Sequence, residues 1–161
     1  MNPQVKALVD KLELLPHPEG GLFREIYRSV KRVSKGTSGE SRSALTAIYF
    51  LLASGQHSRW HRVLADEQWT FLEGEPLELF TATPDGAELK RTRLGPLSGG
   101  NEAILVVPPG HWQAARAQGS HALVTCTVAP GFDFADFQFL AGNPGALELL
   151  RPILGTTTDL V

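Results

Sequence analysis

The sequence predicts an all-β fold, a sandwich or barrel with a short helix at each end. Three observations carry that expectation. About nine short apolar stretches follow one another at roughly 8–12-residue spacing, with no helical segment between them. Turn-forming residues separate them: Ser54-Gly55, Leu64-Ala65-Asp66, Gly74, Pro84-Asp85-Gly86, Ser98-Gly99-Gly100, Pro108-Pro109-Gly110 and Gly119-Ser120. Helical spacing of apolar residues is found near the two ends of the chain.

The first helix is expected over about 3–14. Asn2 can cap it, Pro3 fits its first turn, and Val5, Leu8, Val9 and Leu12 lie on one face. Pro16 stops it. The period then changes to two, Phe23, Glu25 and Tyr27 alternating with Arg24, Ile26 and Arg28. Residues 43–53, SALTAIYFLLA, are a nearly continuous apolar run, as in a strand buried on both faces. Further strands are expected near 58–63, 67–73, 76–82, 87–94, 103–107, 111–117, 121–129 and 134–140. Asp85-Gly86 is the clearest hairpin turn, because both residues tolerate positive φ. Asn143-Pro144 starts a second short helix carrying Leu147, Leu149 and Leu150, with Pro152 expected to end it.

The chain of 161 residues, 42% hydrophobic and 20% charged, is long enough to bury a core. It reads as a single domain over 1–161, with the barrel at about 22–140. No repeat or linker divides it. A net charge of −2 recommends neither nucleic acid nor an anionic membrane as partner. Arg28, Lys31, Arg32 and Lys35 cluster around SVKRVSKGTSGE, which reads as a solvated loop because no aromatic residues are interleaved for base stacking. No apolar run approaches the roughly 20 residues that span a bilayer, and the first residues lack signal-peptide organisation. With the single Cys126 excluding an internal disulfide, a cytoplasmic location is expected. Cys126, between Val124 and Val128, reads as a small buried residue rather than a nucleophile. Pro130-Gly131-Phe132-Asp133-Phe134 reads as a strand-ending turn with its aromatics in the core.

The densest chemistry lies in SRWHRVLADEQW, residues 58–69. With its flanks the stretch resembles the first motif of the cupin superfamily: Gly55, His61, Glu67 and Gly74 stand at that motif's spacing, and Val63 stands where it has a second histidine. Residues 108–113, PPGHWQ, resemble the second motif. Pro108 and Gly110 match, Gln113 replaces the ligand histidine, and Glu102 replaces a glycine. LPHPEGGLFREIYRS, WHRVLADEQWTFLEGEPLELFTATPDG, VPPGHWQAA and TVAPGFDFADFQFL are similar to the fifth-type cupin family, formerly a domain of unknown function, within the RmlC-like group. The resemblance spans about residues 7–150. It implies a double-stranded β-helix, or jelly-roll barrel, and a homodimer.

If His61 points inward, as the resemblance implies, strand alternation turns Val63 inward too and Trp60 and Arg62 outward. Glu67, Trp69 and Phe71 share a face, and so do His111, Gln113 and Ala115. The expected ligand-binding set is His61, Glu67 and Gln113, with Val63, Trp69 and Phe71 as apolar wall, His111 nearby and Glu19 of His17-Pro18-Glu19-Gly20-Gly21 closing the mouth. That mixture suits a small organic molecule. His61 and Glu67 are the candidate acid–base residues for an isomerase- or epimerase-like reaction. His61, Glu67 and Gln113 are weak ligands for a divalent metal (Zn, Fe, Mn or Ni), since two of the four family ligands are replaced. Two other readings stay open: a buried neutral His61 bonded to Glu67 or Gln113, and a structural or storage cupin whose lumen is filled by side chains.

Overall fold

The computed structural model describes residues 2–161. Helix α1 (Pro3–Leu12) is capped by the Asn2 side chain, which accepts from the Gln4 N–H at 2.8 Å, and ends at Glu13 in the left-handed conformation. The strands are β1 (Leu15–Pro16), β2 (Leu22–Arg28), β3 (Arg32–Ser34), β4 (Ser41–Ser43), β5 (Thr46–Ala53), β6 (His57–Val63), β7 (Asp66–Gly74), β8 (Leu77–Ala82), β9 (Leu89–Leu94), β10 (Ile104–Val107), β11 (Trp112–Ala117), β12 (His121–Ala129) and β13 (Phe137–Phe139). Helix α2 (Pro144–Leu154) follows.

Two antiparallel sheets make the barrel. One has the order β1-β2-β5-β12-β7-β10, the other β13-β6-β11-β8-β9. Each sheet has an outer face that one helix covers. Val5 of α1 and Leu14 pack on Leu51 and Leu123. Leu150 and Leu154 of α2 pack on Trp60, Phe80 and Trp112. This explains the continuous apolar run at 43–53: β5 puts Phe50 and Leu52 into the barrel and Leu51 under α1.

Three local expectations need correction. The basic SVKRVSKGTSGE stretch is not a plain loop: β3 and β4 pair within and beside it as a two-stranded ribbon. Lys35 and Arg42 anchor the ribbon to the buried Asp136, Arg42 Nε donating at 2.9 Å. The strand expected over 134–140 is shortened to β13, because Asp133 caps a 3-10 turn over Phe134–Asp136 by accepting from the Ala135 N–H. Helix α2 continues through Pro152 to Leu154. Proline there forfeits a backbone hydrogen bond, but Leu154 on the far side is buried with Leu150 against the barrel, which holds the last turn in place. No described helix is long and apolar enough to cross a membrane.

Candidate functional site

The lumen has two unlike halves. One is filled by Phe50, Leu52, Trp69, Leu77, Leu79, Leu94 and Val124. The other encloses a cavity of about 580 Å³. At the inner end of the cavity His17, Glu19, His61 and Glu67 converge, and Phe23, Phe132, Phe134 and Phe137 form much of its apolar wall.

Each polar group has a local reason for its position. In β6, residue alternation behaves as expected: Trp60 packs under α2, Arg62 lies over the Trp112 ring, and His61 and Val63 face the cavity. His61 Nδ1 lies 2.8 Å from the Arg59 carbonyl. A carbonyl can only accept, so Nδ1 carries the proton and Nε2 presents a lone pair. Phe137 stacks on the imidazole at 5.3 Å between ring centroids.

Glu19 arrives from the tight turn 17–21. The Gly20 N–H donates to the His17 carbonyl and the Arg59 N–H to the Glu19 carbonyl, so the turn is tied to β6. Gly20 has φ +111°, and a Cβ there would collide with the His57 carbonyl, so glycine is required. This drives the Glu19 carboxyl inward, where it is 6% exposed. Ser58 Oγ donates to Oε1 at 3.1 Å, and Oε2 lies 3.2 Å from His61 Nε2. The Glu19 N–H donates to His17 Nδ1 at 3.2 Å, which fixes the His17 proton on Nε2.

Glu67, at the start of β7, is 7% exposed. Gln113 stands directly opposite His61 across the β6–β11 pair. Its Nε2 donates to Glu67 Oε2 at 2.6 Å, and its Oε1 accepts from Trp69 Nε1 at 2.9 Å. The indole N–H can only donate, so it dictates which way the amide points. Cys126 borders the same cavity beside Glu67.

Burial dominates the electrostatics. Desolvation raises Glu19 to about 8, against lowering by the Ser58 bond and Arg59. It raises Glu67 to about 7, opposed by His61, Gln113 and Cys126, and reinforced by Glu19. Desolvation, with His61 nearby, lowers His17 to about 4. Burial also lowers His61, opposed by Glu67 and the Arg59 carbonyl. Burial thus pushes every member of the cluster toward its uncharged form. Glu19 in its acid form donates to the His61 Nε2 lone pair.

Of the expected ligand-binding set, His61, Val63, Glu67 and Glu19 border the cavity. Four stand outside it. Trp69 and Phe71 share the inner face with Glu67, but each alternate residue lies roughly 7 Å further along the strand, and both fall in the filled half. Gln113 faces inward but is spent between Glu67 and Trp69. His111 sits in the Pro108–Gly110 turn before β11, where alternation does not apply, and lines a separate pocket of about 220 Å³ with Thr81 and Pro108.

The metal reading fares no better. Val63 offers no donor, and the only oxygen of the Gln113 side chain is turned to Trp69. Among the described residues no group of three or more His, Cys, Asp or Glu side chains is placed to hold an ion. The residues do not fit the family's four-ligand arrangement.

Sequence reasoning missed His17, Phe23, Ile48, Cys126 and the aromatic run Phe132, Phe134 and Phe137 as lining residues. Strand alternation carried part of the signal: Ile48 is in phase with Phe50, and Cys126 with Val124. Phe132 and Phe134 are expected in the core; Phe132 packs against Val63, Ala65 and Val128, but Phe134 is 62% exposed.

Comparison with known proteins agrees with this architecture. A hypothetical protein from Leishmania major superposes with a TM-score of 0.86, 29% identity and 97% of each chain covered. A protein from Shewanella oneidensis superposes with a TM-score of 0.83, 32% identity and coverage of 96% of this chain and 95% of that one. An uncharacterized protein of Saccharomyces cerevisiae is 28% identical over 168 residues, covering 92% of this chain and 81% of the relative. The family model for the cupin superfamily (DUF985) matches residues 6–140, and with its mostly antiparallel jelly-roll barrel the chain belongs to that family.

Proposed function

We propose that this cupin binds a small organic molecule in its barrel cavity. The observation that carries the reading is the hollow half of the lumen: about 580 Å³, mostly apolar and aromatic, with four titratable side chains converging at one end. Ligand sites have this composition, apolar walls for affinity and a few placed polar groups for orientation. His61, Glu67 and Glu19 are the orienting groups, and Val63 and the phenylalanines are the wall. Isothermal titration against a metabolite panel, with His61→Ala and Glu67→Ala as controls, tests it. A ligand that binds at unit stoichiometry and is lost in both variants supports the lumen site; binding unaffected by either places the site elsewhere.

A second reading, proton transfer as in isomerisation, is favoured by one contact. Glu19 Oε2 and His61 Nε2 lie 3.2 Å apart, within hydrogen-bond reach, with Glu67 close by and its pKa raised to about 7. A carboxyl poised near neutrality beside a neutral imidazole can accept a proton at one atom and return it at another. Deuterium washing from D₂O into a bound carbonyl compound, abolished in Glu67→Gln, supports it. Binding without isotope exchange leaves the chain a binding protein.

A further inference from the structure

The geometry points to a small organic cation, an alkyl- or arylammonium, as the class of molecule the cavity takes; this rests on the lumen being the ligand site. Four carboxyl side chains line the cavity, Glu19, Glu25, Glu67 and Asp133, against one guanidinium, Arg28. That guanidinium is spent. Its Nε and Nη2 donate to Glu25 at 2.9 and 2.7 Å, which spends Glu25 as well, and its Nη1 to the Phe132 carbonyl at 3.1 Å. Asp133 lies 4.0 Å from Arg42 Nε, so Glu19 and Glu67 are the carboxyls without a cationic partner. The two imidazoles offer no positive charge either. His17 Nδ1 accepts from the Glu19 N–H and burial lowers its pKa to about 4, and burial lowers His61 as well. Among the described residues that border the cavity, no unpaired positive group therefore meets an anionic ligand, whereas an ammonium group would find the Glu19 and Glu67 carboxyl oxygens there.

The walls agree. Phe23, Phe132, Phe134 and Phe137 border the same space, and Phe137 packs edge-to-face with Phe132, Phe134 and Phe139 at 6.0, 6.1 and 4.7 Å between centroids. Ring faces attract a cation within roughly 6 Å, and more strongly where water is excluded. Carboxyls at the inner end and rings along the sides are the two elements of an ammonium site.

Occupation has a consequence for protons. Glu67 is faced by Glu19 from the 17–21 turn, His61 from β6, Gln113 from β11 and Cys126 from β12, none of them cationic in the empty cavity. An ammonium group arriving beside it stabilises the carboxylate and expels its proton to solvent. Binding near neutral pH therefore releases protons, and affinity for the cation rises with pH while affinity for an uncharged analogue does not.

The test is titration calorimetry with three probes of one skeleton: phenethylamine, phenethyl alcohol and phenylacetate. Phenethylamine is expected to bind roughly tenfold or more tightly than the alcohol. Phenylacetate is expected to bind weakest. At pH 6.5 the ammonium enthalpy is expected to vary with buffer ionisation enthalpy in the sense of proton release. Glu67→Gln removes the preference for the ammonium and keeps alcohol binding. Phe134→Ala, at an exposed position that tolerates truncation, weakens the ammonium severalfold in a protein whose folding is unchanged. Alcohol or phenylacetate binding as well as phenethylamine overturns the cation assignment and leaves the lumen site standing. None of the three binding overturns the assignment too; if the metabolite panel also fails to bind in a His61-dependent way, the lumen reading falls with it.

Discussion

The two halves of this barrel use the same strands for opposite ends. On β7, Trp69 is fully buried in the filled half, and Glu67, two residues earlier, stands at the inner end of the hollow one. The Gln113 amide lies between them and bonds both. On β12, Val124 belongs to the filled half and Cys126 borders the hollow one. The filled half is close-packed hydrocarbon, and its residues are held by volume. The hollow half is held by hydrogen bonds and by protonation state. Breaking the first costs stability at any pH. Changing the second alters what pH does to the protein and what the cavity accepts.

The largest expected effect is on the filled side. Trp69→Ala removes a wholly buried indole and leaves Gln113 Oε1 without its donor. The expected loss is about 3–5 kcal/mol, measured by chemical denaturation, with a further effect from the unpaired amide oxygen. A loss below about 1 kcal/mol would mean that the two halves are not distinct in packing.

The second prediction concerns the hollow side and separates its protons from its volume. Glu19 and Glu67 have folded-state pKa values raised to about 8 and about 7 from an ordinary 4.5. The folded protein then holds protons that the unfolded chain has lost, so this stabilisation is complete below the unfolded pKa and disappears as pH climbs through the folded values. His17 works the other way. Lowered to about 4 from 6.5, it makes stability rise with pH across that window. The contributions oppose one another up to about pH 6.5, and above it only the carboxyls remain. Stability is therefore expected to fall from pH 6.5 to 8 by on the order of 2 kcal/mol. Glu19→Gln is expected to remove most of that slope. A flat profile in the unaltered protein would mean that the carboxyls are ionised across the whole range and the cluster is not held neutral.

The contrast between the halves also explains what the sequence revealed. The fold was legible because it depends on periodicity and turns: the 3.6-residue spacing of α1, the alternation of His61 and Val63 against Trp60 and Arg62, the positive-φ glycines. These are local signals. His61 and Val63 were legible as inward-facing through the family resemblance, which turns His61 inward and lets alternation carry Val63 with it, and Glu67 through the same motif; Glu19, expected at the mouth, stands buried at the inner end. Depth along the barrel was not legible. Trp69 and Phe71 have the phase of Glu67 but not its position, because alternation sets the face and says nothing of how far down the lumen a residue lies. The outward turn of Phe134 and the cavity-lining role of its neighbours were not legible for a related reason. Phe132, Phe134 and Phe137 follow the last long strand, in a segment whose 3-10 turn is set by Asp133 and tied to the β3–β4 ribbon through Asp136. Those contacts join residues about a hundred positions apart, beyond the reach of local pattern.

The smallest effect is the most specific to the hollow half. Ser58 Oγ donates to Glu19 Oε1, and that bond holds the Glu19 pKa below where burial alone would put it. Ser58→Ala removes one hydroxyl from a fully buried position next to Gly20. The cost at pH 6 is expected to be small, under about 1 kcal/mol, because protonated Glu19 keeps its bond to His61 Nε2 and loses only one neutral partner. At pH 8 and above the ionised form needs the hydroxyl more than the acid form does. The stability difference between Ser58→Ala and the unaltered protein should therefore widen as pH rises, with the alkaline fall of the variant continuing to higher pH. Parallel denaturation series from pH 6 to 9 read this directly. A constant offset between the two series would assign Ser58 to packing alone; a widening one identifies it as a group that tunes the proton on Glu19.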